Sequence, residues 1–271
     1  MSAPTATVLE RILSETSQEL ERRKRELPLA ALQRAVAPDA AGGGRLRQAL
    51  SAPGIGVIAE FKRRSPSAGS LHESPNLSEI VAAYERGGAV AVSILTEGPN
   101  FGGALEDLQA AGEACDLPLL RKDFILDPYQ LHEARVAGAA AVLLIVAALE
   151  LPALGSLHAE AHALGLDALV EVHDRAELEV ALEIGAEIVG VNNRDLRDFS
   201  VDVQRTGSLM EHVPPEVLVV SESGIARAEQ LSRLHELGVQ GVLVGERLMR
   251  SADPAAALRE LRSFRHNSDD I

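Results

Sequence analysis

Eight short apolar segments, separated by longer amphipathic segments, most constrain what this chain can fold into. Each short segment is apolar on both faces and rich in β-branched residues, which is typical of buried parallel strands. The eight predicted strands span residues 57–61, 89–95, 117–121, 141–145, 167–172, 188–191, 217–221 and 241–244. Eight strands that alternate with helical or loop segments are typical of a single (β/α)8 TIM barrel, an α/β fold that closes on itself.

The segments between the predicted strands have the apolar spacing of helices. The predicted helices span residues 77–87, 128–137, 153–164, 176–183, 226–237 and 255–264. Several end just before a glycine, such as Gly138 or Gly185, which suits the left-handed residue after a helix. A doubly wound open sheet is the alternative architecture. Its first strand is usually followed by a GxGxxG loop, which this sequence lacks there, so the closed barrel is favoured.

Residues 1–50 have a different pattern from the rest of the chain. Apolar residues at helical spacing among charged ones predict an amphipathic helix over about 6–26. Pro28 suits the first turn of a short second helix ending near residue 36, and the glycines at 42–44 then break the pattern. We therefore divide the chain into an N-terminal helical extension, 1–50, and a barrel domain, 51–271. The extension is expected to pack on the barrel, with a lid over one barrel mouth as the alternative.

The composition narrows the classes of partner. Acidic residues outnumber basic ones, 40 against 26, and the net charge of −14 argues against nucleic acid or an anionic membrane surface. A small anionic substrate is compatible with this net charge, because a pocket needs only a few local cations to bind it. The single cysteine, Cys115, excludes an internal disulfide, and no Cys/His cluster has zinc spacing, so we expect no metal site.

The sequence carries no pattern that directs a chain to a membrane. The N-terminal residues are charged and lack the apolar core of a signal peptide. The longest apolar run, 137–149, is too short to span a bilayer. We therefore expect a soluble, cytoplasmic protein, and for its oligomeric state a monomer or a weak homodimer.

Polar side chains gather at the ends of the predicted strands, where barrel enzymes carry their active sites. By alternation, Glu60 and Lys62 lie on one face of the first strand, and opposite charges at a barrel mouth are expected to pair. The later strand ends contribute Lys122, Glu171, Asn192 and Glu222. Any one of these residues is compatible with an ordinary solvated surface position. Together they place acids and bases at one rim, which predicts an acid–base enzyme.

Other titratable residues near the rim have plainer interpretations. The aspartates expected to cap helices or pair with arginines are Asp123, Asp174, Asp195 and Asp198. His173 is expected to be a loop histidine, and Cys115 a small core or surface residue. None of them is predicted to act in catalysis.

Two loops near the end of the chain predict a phosphate site. Ser223 and Gly224 follow the seventh strand and Gly245 follows the eighth, so each offers backbone N–H groups at a loop-to-helix turn. Barrel enzymes commonly hold phosphate at these two loops. Ser65, after the first strand, lies beside the eighth strand in a closed barrel and adds a hydroxyl. The alternative is that the glycines only permit tight turns.

These strand ends together resemble the indole-3-glycerol-phosphate synthase family, barrel enzymes of tryptophan biosynthesis. The segments that carry the resemblance are residues 58–67, 93–97, 101–103, 120–125, 169–173, 190–196 and 221–225. The resemblance covers residues 57–250, and the helical N-terminal extension also fits the family. It implies a carboxy-lyase for the fourth step from chorismate to tryptophan. The substrate, 1-(2-carboxyphenylamino)-1-deoxyribulose 5-phosphate, would close to indole-3-glycerol phosphate with loss of CO2 and water.

The resemblance also implies roles for the acid–base residues. Lys122 resembles the general acid and Glu171 the general base. Lys62 resembles the lysine that holds the substrate carboxylate and assists proton transfer, with Glu60 as its partner. The residues that resemble those orienting the substrate hydroxyls and the reacting centre are Asn192 and Glu222.

A second group of residues resembles the binding positions of the family. The phosphate cradle corresponds to Ser65, Ser223, Gly224 and Gly245, and Arg194 would lie near the anionic groups of the substrate. Phe124 and Leu196 resemble the apolar walls around the anthranilate ring. After Gly245 the chain departs from the family pattern with Glu246 and Arg247, and a Glu246 carboxylate aimed at phosphate would repel it. We therefore leave Glu246 out of the predicted site.

The implied reaction calls for no cofactor, because the cation formed on the ring during closure accepts the electrons that decarboxylation releases. Two other interpretations remain open. Phosphoribosylanthranilate isomerase, a related barrel enzyme, is expected to use a Cys and Asp pair at the strand ends, whereas Cys115 precedes the third strand. A catalytically silent barrel that binds a phosphometabolite is the alternative from another class, and the full set of acid–base residues argues against it.

Overall fold

The computed structural model of the chain describes residues 7–36, 43–72, 75–195 and 200–263. Within these ranges, eight parallel strands form a closed barrel. They are β1 (Gly56–Phe61), β2 (Ala91–Leu95), β3 (Leu119–Lys122), β4 (Ala141–Ile145), β5 (Asp167–Val172), β6 (Ile188–Asn192), β7 (Leu218–Glu222) and β8 (Gly241–Val244). The barrel closes where β1 pairs with both β2 and β8. The predicted (β/α)8 fold is confirmed, and every predicted strand agrees with an observed one to within two residues at each end.

Helices surround the barrel. Those in the described ranges are α1 (Val8–Glu26), α2 (Leu29–Ala35), α3 (Arg45–Leu50), α4 (Leu77–Gly87), α5 (Leu105–Ala114), α6 (Pro128–Val136), α7 (Leu151–Ala163), α8 (Arg175–Glu183), α9 (Arg205–Met210), α10 (Ala228–Glu236), α11 (Glu246–Met249) and α12 (Pro254–Leu261). Sequence analysis missed α3, α5, α9 and α11. Three of these have six residues or fewer, which is too short to show a helical period.

Alternation along the strands fills the barrel in layers. Ile58 points into the barrel, whereas its neighbours Val57 and Ala59 pack outward against the helices. The inward faces of the odd-numbered strands form an apolar layer of Ile58, Leu120, Leu169 and Val220. The next inward position, two residues further along each of these strands, is charged. A charged layer therefore lies at the carboxyl ends of the strands, above an apolar floor.

Helix α3 closes the opposite, amino-terminal end of the barrel. Leu46 and Leu50 are fully buried and belong to the interior cluster. The Asp167 carboxylate, at the start of β5, accepts the backbone N–H groups of Leu46 and Arg47 at 2.8 and 3.2 Å. This contact satisfies the first N–H groups of α3, which have no partner inside the helix. Because α3 closes the amino-terminal end, the barrel is open at the carboxyl-terminal ends of its strands.

Helix α1 lies against the barrel near that mouth. Arg23 forms an ion pair with Glu133 of α6 at 2.6 Å, and Lys24 forms one with Asp127 at 2.8 Å. Near the other end of α1, Ile12 is buried in the interior cluster. The helix therefore buries its apolar face on the barrel and fixes its charged face to α6. The division of the chain at residue 50 stays a prediction.

Across the ranges given above, no helix is both long and apolar enough to cross a membrane. Residues 6 and 264, at the outer ends of two predicted helices, lie outside those ranges, as do Leu196 and Asp198.

Candidate functional site

A cavity of about 420 Å³ opens at the carboxyl ends of the strands. Its size suits a small-molecule ligand. Twelve of the thirteen residues predicted from the sequence line it, namely Glu60, Lys62, Ser65, Lys122, Phe124, Glu171, Asn192, Arg194, Glu222, Ser223, Gly224 and Gly245. The thirteenth, Leu196, is among the residues the structure does not describe. The structure therefore gathers residues from six strand ends and the loops that follow them into one place.

Lys122 occupies the centre of the charged layer. Its Nζ atom lies 3.0 Å from Oε2 of Glu222 and 3.6 Å from Oε2 of Glu171. Burial disfavours its ammonium form, but the nearby carboxylates of Glu222, Glu171 and Glu60 outweigh burial and raise the pKa of Lys122 above its ordinary value. Lys122 is therefore a charged, desolvated proton donor at the floor of the cavity.

For Glu222, in contrast to Lys122, the effect of burial on the pKa outweighs that of the nearby opposite charge. It is 1% exposed, and burial raises the pKa of its carboxyl to about 7, with the neighbouring Glu171 and Glu60 adding to the effect and Lys122 opposing it. Gly190 of β6 makes room for this side chain, since a Cβ atom there would lie 2.3 Å from Oε1 of Glu222. Near neutral pH, Glu222 is therefore able to take up or release a proton.

Lys62 and Glu60 form a second charged pair at the end of β1. Nζ of Lys62 lies 2.6 Å from Oε1 of Glu60. Burial opposes ionisation of Glu60, but Lys62, Lys122 and Arg194 together hold the pKa of its carboxyl below the usual value. Gly245 permits this arrangement, because a Cβ atom there would lie 2.5 Å from Oε1 of Glu60. The expected pairing of Glu60 with Lys62 is present.

Asn192 joins the charged layer to the loop after β7. Its Nδ2 donates to Oε1 of Glu171 at 3.1 Å. Its Oδ1 accepts from the Ser223 hydroxyl at 2.9 Å and from the Arg194 backbone N–H at 3.0 Å. Because both ends of the amide are bonded, its orientation is fixed, and so is that of the Glu171 carboxylate.

The loop after β7 has an unusual backbone. Ser223 has a φ of 65°, in the left-handed region that side chains other than glycine rarely adopt, and Gly224 follows at 78°. Asn193 stabilises this turn by donating from Nδ2 to the Ser223 carbonyl at 3.1 Å. Backbone strain of this kind is concentrated at functional sites.

One wall of the cavity is apolar. The rings of Phe101 and Phe124 have centroids 6.4 Å apart, and Leu143 and Ile145 of β4 add to the same wall. Ile12 of α1 belongs to the interior cluster that includes Phe124. Of the residues in this wall, sequence analysis predicted Phe124 as a site residue but not Phe101, Leu143 or Ile145. Alternation along β4 was the available signal for Leu143 and Ile145, which occupy its inward positions.

The cavity also has hydroxyl, glycine and arginine groups. Ser65, Gly224, Gly245, Arg247 and Arg250 all line the cavity. Arg247 also contacts the Ala226 carbonyl and forms an ion pair with Glu260 at 2.8 Å.

Three of the aspartates near the rim, Asp123, Asp174 and Asp195, lie in the described part of the chain. Asp174 caps α8 by accepting the Glu177 N–H at 3.0 Å, and Asp123 forms an ion pair with Arg121 at 2.9 Å, as predicted. Asp195 lies 3.9 Å from Arg205. These carboxylates therefore have structural partners.

Comparison with known proteins identifies the family. A family model described as indole-3-glycerol phosphate synthase matches residues 9–261. An indole-3-glycerol phosphate synthase of Dehalococcoides mccartyi is 48% identical over 257 residues, which are 94% of this chain and 99% of that protein. The indole-3-glycerol phosphate synthase 2 of Streptomyces coelicolor is 50% identical over 213 residues, 79% of this chain and 83% of that protein. The chain belongs to the indole-3-glycerol phosphate synthase family.

A solved structure outside the indole-3-glycerol phosphate synthase family has a similar fold. The 3-hexulose-6-phosphate synthase from Salmonella typhimurium matches with a TM-score of 0.61 and 15% identity, over 76% of this chain and 96% of that chain. At this identity the likeness supports the barrel alone.

The departure from the family pattern at Glu246 has a structural explanation. Its carboxylate accepts from Nε of Arg250 at 3.1 Å, one helical turn further along. The pair is on a largely exposed surface, so the negative charge of Glu246 is compensated by Arg250. Glu246, which the sequence analysis left out of the predicted site, nevertheless lines the cavity.

Among the residues that the structure describes, no group of three or more His, Cys, Asp or Glu side chains is arranged to hold a metal ion.

Replacing Glu222 with glutamine is expected to change how stability depends on pH. The folded protein binds a proton at Glu222 with a pKa of about 7, whereas the unfolded chain keeps the ordinary value of 4.5. The contribution of Glu222 therefore lowers the free energy of unfolding as pH rises from 4.5 to about 7. E222Q should raise the free energy of unfolding, relative to the original chain, more at about pH 8 than at about pH 5.5. Urea unfolding at both pH values measures the difference, and an equal effect at both would contradict this account of Glu222.

Proposed function

We propose that this chain is an indole-3-glycerol phosphate synthase. It would convert 1-(2-carboxyphenylamino)-1-deoxyribulose 5-phosphate to indole-3-glycerol phosphate, CO2 and water. The observation that carries the proposal is the buried Lys122 ammonium, which lies among three carboxylates beneath an apolar wall. This arrangement supplies a proton donor and a proton acceptor on one face of a bound aromatic ring.

The cavity matches the three parts of that substrate. The phosphate would bind to Ser65, Gly224 and Gly245, which line the cavity and offer hydroxyl and backbone N–H groups that suit an anion. The aromatic ring fits against Phe124 and its apolar neighbours. Lys62 and Arg194 line the same cavity and supply positive charge for the substrate carboxylate.

Ring closure begins with Lys122. It donates a proton to the ketone oxygen of the substrate while the ring carbon that bears the carboxylate attacks the ketone carbon. The new carbon–carbon bond leaves a cation on the six-membered ring. An acid in a desolvated site stabilises the charge that develops on the ketone oxygen.

The cation formed on the six-membered ring then loses CO2. The bond to the carboxylate breaks, CO2 leaves, and its electron pair restores the aromatic ring. Since the cation itself accepts the electrons, we propose that the reaction is independent of any cofactor or metal.

Dehydration completes the indole. Glu171 removes a proton from the carbon next to the nitrogen, and a lysine ammonium protonates the departing hydroxyl, which leaves as water. Asn192 holds the Glu171 carboxylate for this step through its hydrogen bond at 3.1 Å. Glu222 supplies a further group that can exchange protons with Lys122 at 3.0 Å.

Replacing Ser65 with alanine is expected to weaken substrate binding more than turnover. Loss of one hydrogen bond to the phosphate, worth about 1 kcal/mol, should raise KM about fivefold and leave kcat within about twofold. Ser232→Ala on the exposed part of α10 is the matched control and should leave both constants unchanged. Steady-state kinetics of the two variants measure this. A fall in kcat with an unchanged KM would remove Ser65 from the phosphate site.

Mass spectrometry of the reaction mixture tests the proposed reaction. The purified chain should convert the carboxyphenylamino-deoxyribulose phosphate to a product that has lost the elements of CO2 and water. A catalytically silent barrel, the alternative, would bind the substrate and leave its mass unchanged. A product that has kept its carboxylate would point to an isomerase instead.

Three expectations from the sequence stay predictions. They are a monomer or weak homodimer, a cytoplasmic location, and the absence of nucleic acid as a partner. The net charge of −14 supports the last of them.

A further inference from the structure

His173 follows β5 directly and lies behind Glu171, on the side away from the substrate cavity. Its Nδ1 atom lies 3.0 Å from Oε2 of Glu177, and its backbone N–H donates to the same oxygen at 2.7 Å. Glu177, in the first turn of α8, therefore fixes both the position of His173 and the nitrogen that carries a proton.

The other ring nitrogen of His173 faces the proposed base. Nε2 lies 3.4 Å from Oε1 of Glu171, the oxygen that also accepts from Asn192. In the described part of the chain, this buried Nε2 atom has no hydrogen-bond partner. Because buried polar atoms are nearly always bonded, the Glu171 carboxylate at 3.4 Å is the group that Nε2 is placed to contact.

Charge favours the protonated imidazole at this position. Burial opposes protonation, but the bond to Glu177 and the charges of Glu171 and Glu177 outweigh it and raise the pKa of His173 above its ordinary value. Arg205 on α9 acts in the opposite direction. On its outer side His173 lines a second cavity of about 540 Å³ together with Glu177. The other charged or titratable residues of that cavity are Asp174, Arg175, Asp195, Asp202, Arg205 and His212.

We propose that His173 is a positioning residue for the proposed reaction, in which its imidazolium, held by Glu177, keeps Glu171 oriented for proton removal. The proposal rests on the proposed function. Lys122 is the nearest cation to Glu171 on the substrate side, and it becomes neutral when it gives its proton to the ketone. The imidazolium then remains as a positive charge beside Glu171, out of reach of the substrate. Glu171 therefore stays ready to remove a proton in the dehydration step.

Two variants separate the parts of this role. A glutamine at 173 places an uncharged N–H donor near the position of Nε2, whereas an asparagine is shorter and reaches only toward Glu177. H173N should lower kcat about tenfold, which is a loss of about 1.4 kcal/mol of transition-state stabilisation, with KM within twofold. H173Q should recover part of this loss. His212→Gln, in the same second cavity, is the control and should keep the original kcat.

The pH profile distinguishes this role from a purely structural one. In the original chain, kcat should fall as pH rises through the raised pKa of His173, because the imidazolium is lost. Both variants at 173 should lack this fall while keeping the original thermal unfolding temperature. An unchanged pH profile, or a loss of kcat that follows a loss of stability, would overturn the proposal.

Nitrogen NMR of the imidazole separates the inference from the proposed function. The ring of His173 should titrate above its ordinary value of 6.5 in the original chain and at lower pH in E177Q. This result does not depend on turnover. If the original chain forms no product but the titration is as expected, the proposed function fails and the contact between His173 and its carboxylates stands. A titration that E177Q leaves unchanged would overturn the positioning role.

Discussion

Replacing Lys122 with alanine is expected to lower kcat by about 10³-fold while changing KM by less than about threefold. In the proposed reaction the lysine provides the proton for the ketone oxygen only as the new bond forms, so its loss should affect the transition state far more than substrate binding. Its removal also leaves Glu171 and Glu222 buried without their shared cation at 3.6 and 3.0 Å. Since Lys122 lowers the pKa of Glu222, loss of the lysine should raise that pKa further.

The chain offers a matched control for this substitution. It has three lysines, and Lys24 on α1 is the one outside the cavity, paired with Asp127 at 2.8 Å. K24A should keep kcat within about twofold of the original chain. Steady-state kinetics and thermal unfolding of both variants make the comparison. Equal turnover in the original chain and K122A would end the assignment of Lys122 as the acid.

Replacing Arg121 with methionine is expected to lower the free energy of unfolding by about 3–5 kcal/mol. Arg121 is fully buried in β3, directly before Lys122. It bonds to Asp123 at 2.9 Å, to Glu133 at 3.2 Å and to the Gln130 carbonyl at 2.7 Å. Methionine fills much of the same volume but leaves the buried Asp123 carboxylate without its cation, whereas Glu133 keeps its ion pair with Arg23 at 2.6 Å. The loss therefore measures an uncompensated charge rather than a cavity.

Arg175→Met is the control for Arg121, since Arg175 pairs with Glu179 on an exposed face of α8. Its effect should be below about 0.5 kcal/mol. Urea unfolding of both variants measures the difference. A loss below about 1 kcal/mol in R121M would show that the buried network contributes little to stability.

Alternation and turn chemistry were sufficient to predict most of the fold and the floor of the site. The period of two along β1 placed Glu60 and Lys62 on one face, and both line the cavity. The strand ends of a closed barrel meet at one rim, so Lys122, Glu171 and Glu222 could be grouped without knowledge of any contact. The chemical roles of these residues came from the resemblance to the family and remain proposals.

Contacts between distant parts of the sequence could not be predicted. Arg23 of α1 and Glu133 of α6 are 110 residues apart, and no local pattern indicates that they meet. Nor does any local pattern indicate that α3 closes the amino-terminal end of the barrel, where it is held by Asp167 of β5. His173 was expected to be an ordinary loop histidine because its two carboxylate neighbours become apparent only when α8 folds back beside β5. Tertiary packing, rather than local propensity, decides these positions.

The most direct test of the central claim is a fluorescence assay for indole-3-glycerol phosphate. The purified chain is mixed with 1-(2-carboxyphenylamino)-1-deoxyribulose 5-phosphate, with a chelator present and no added metal or cofactor. The proposed function predicts indole fluorescence that rises with time in the original chain and about 10³-fold more slowly in K122A. A folded original chain that binds the substrate and forms no indole would contradict the claim and favour a phosphometabolite-binding barrel.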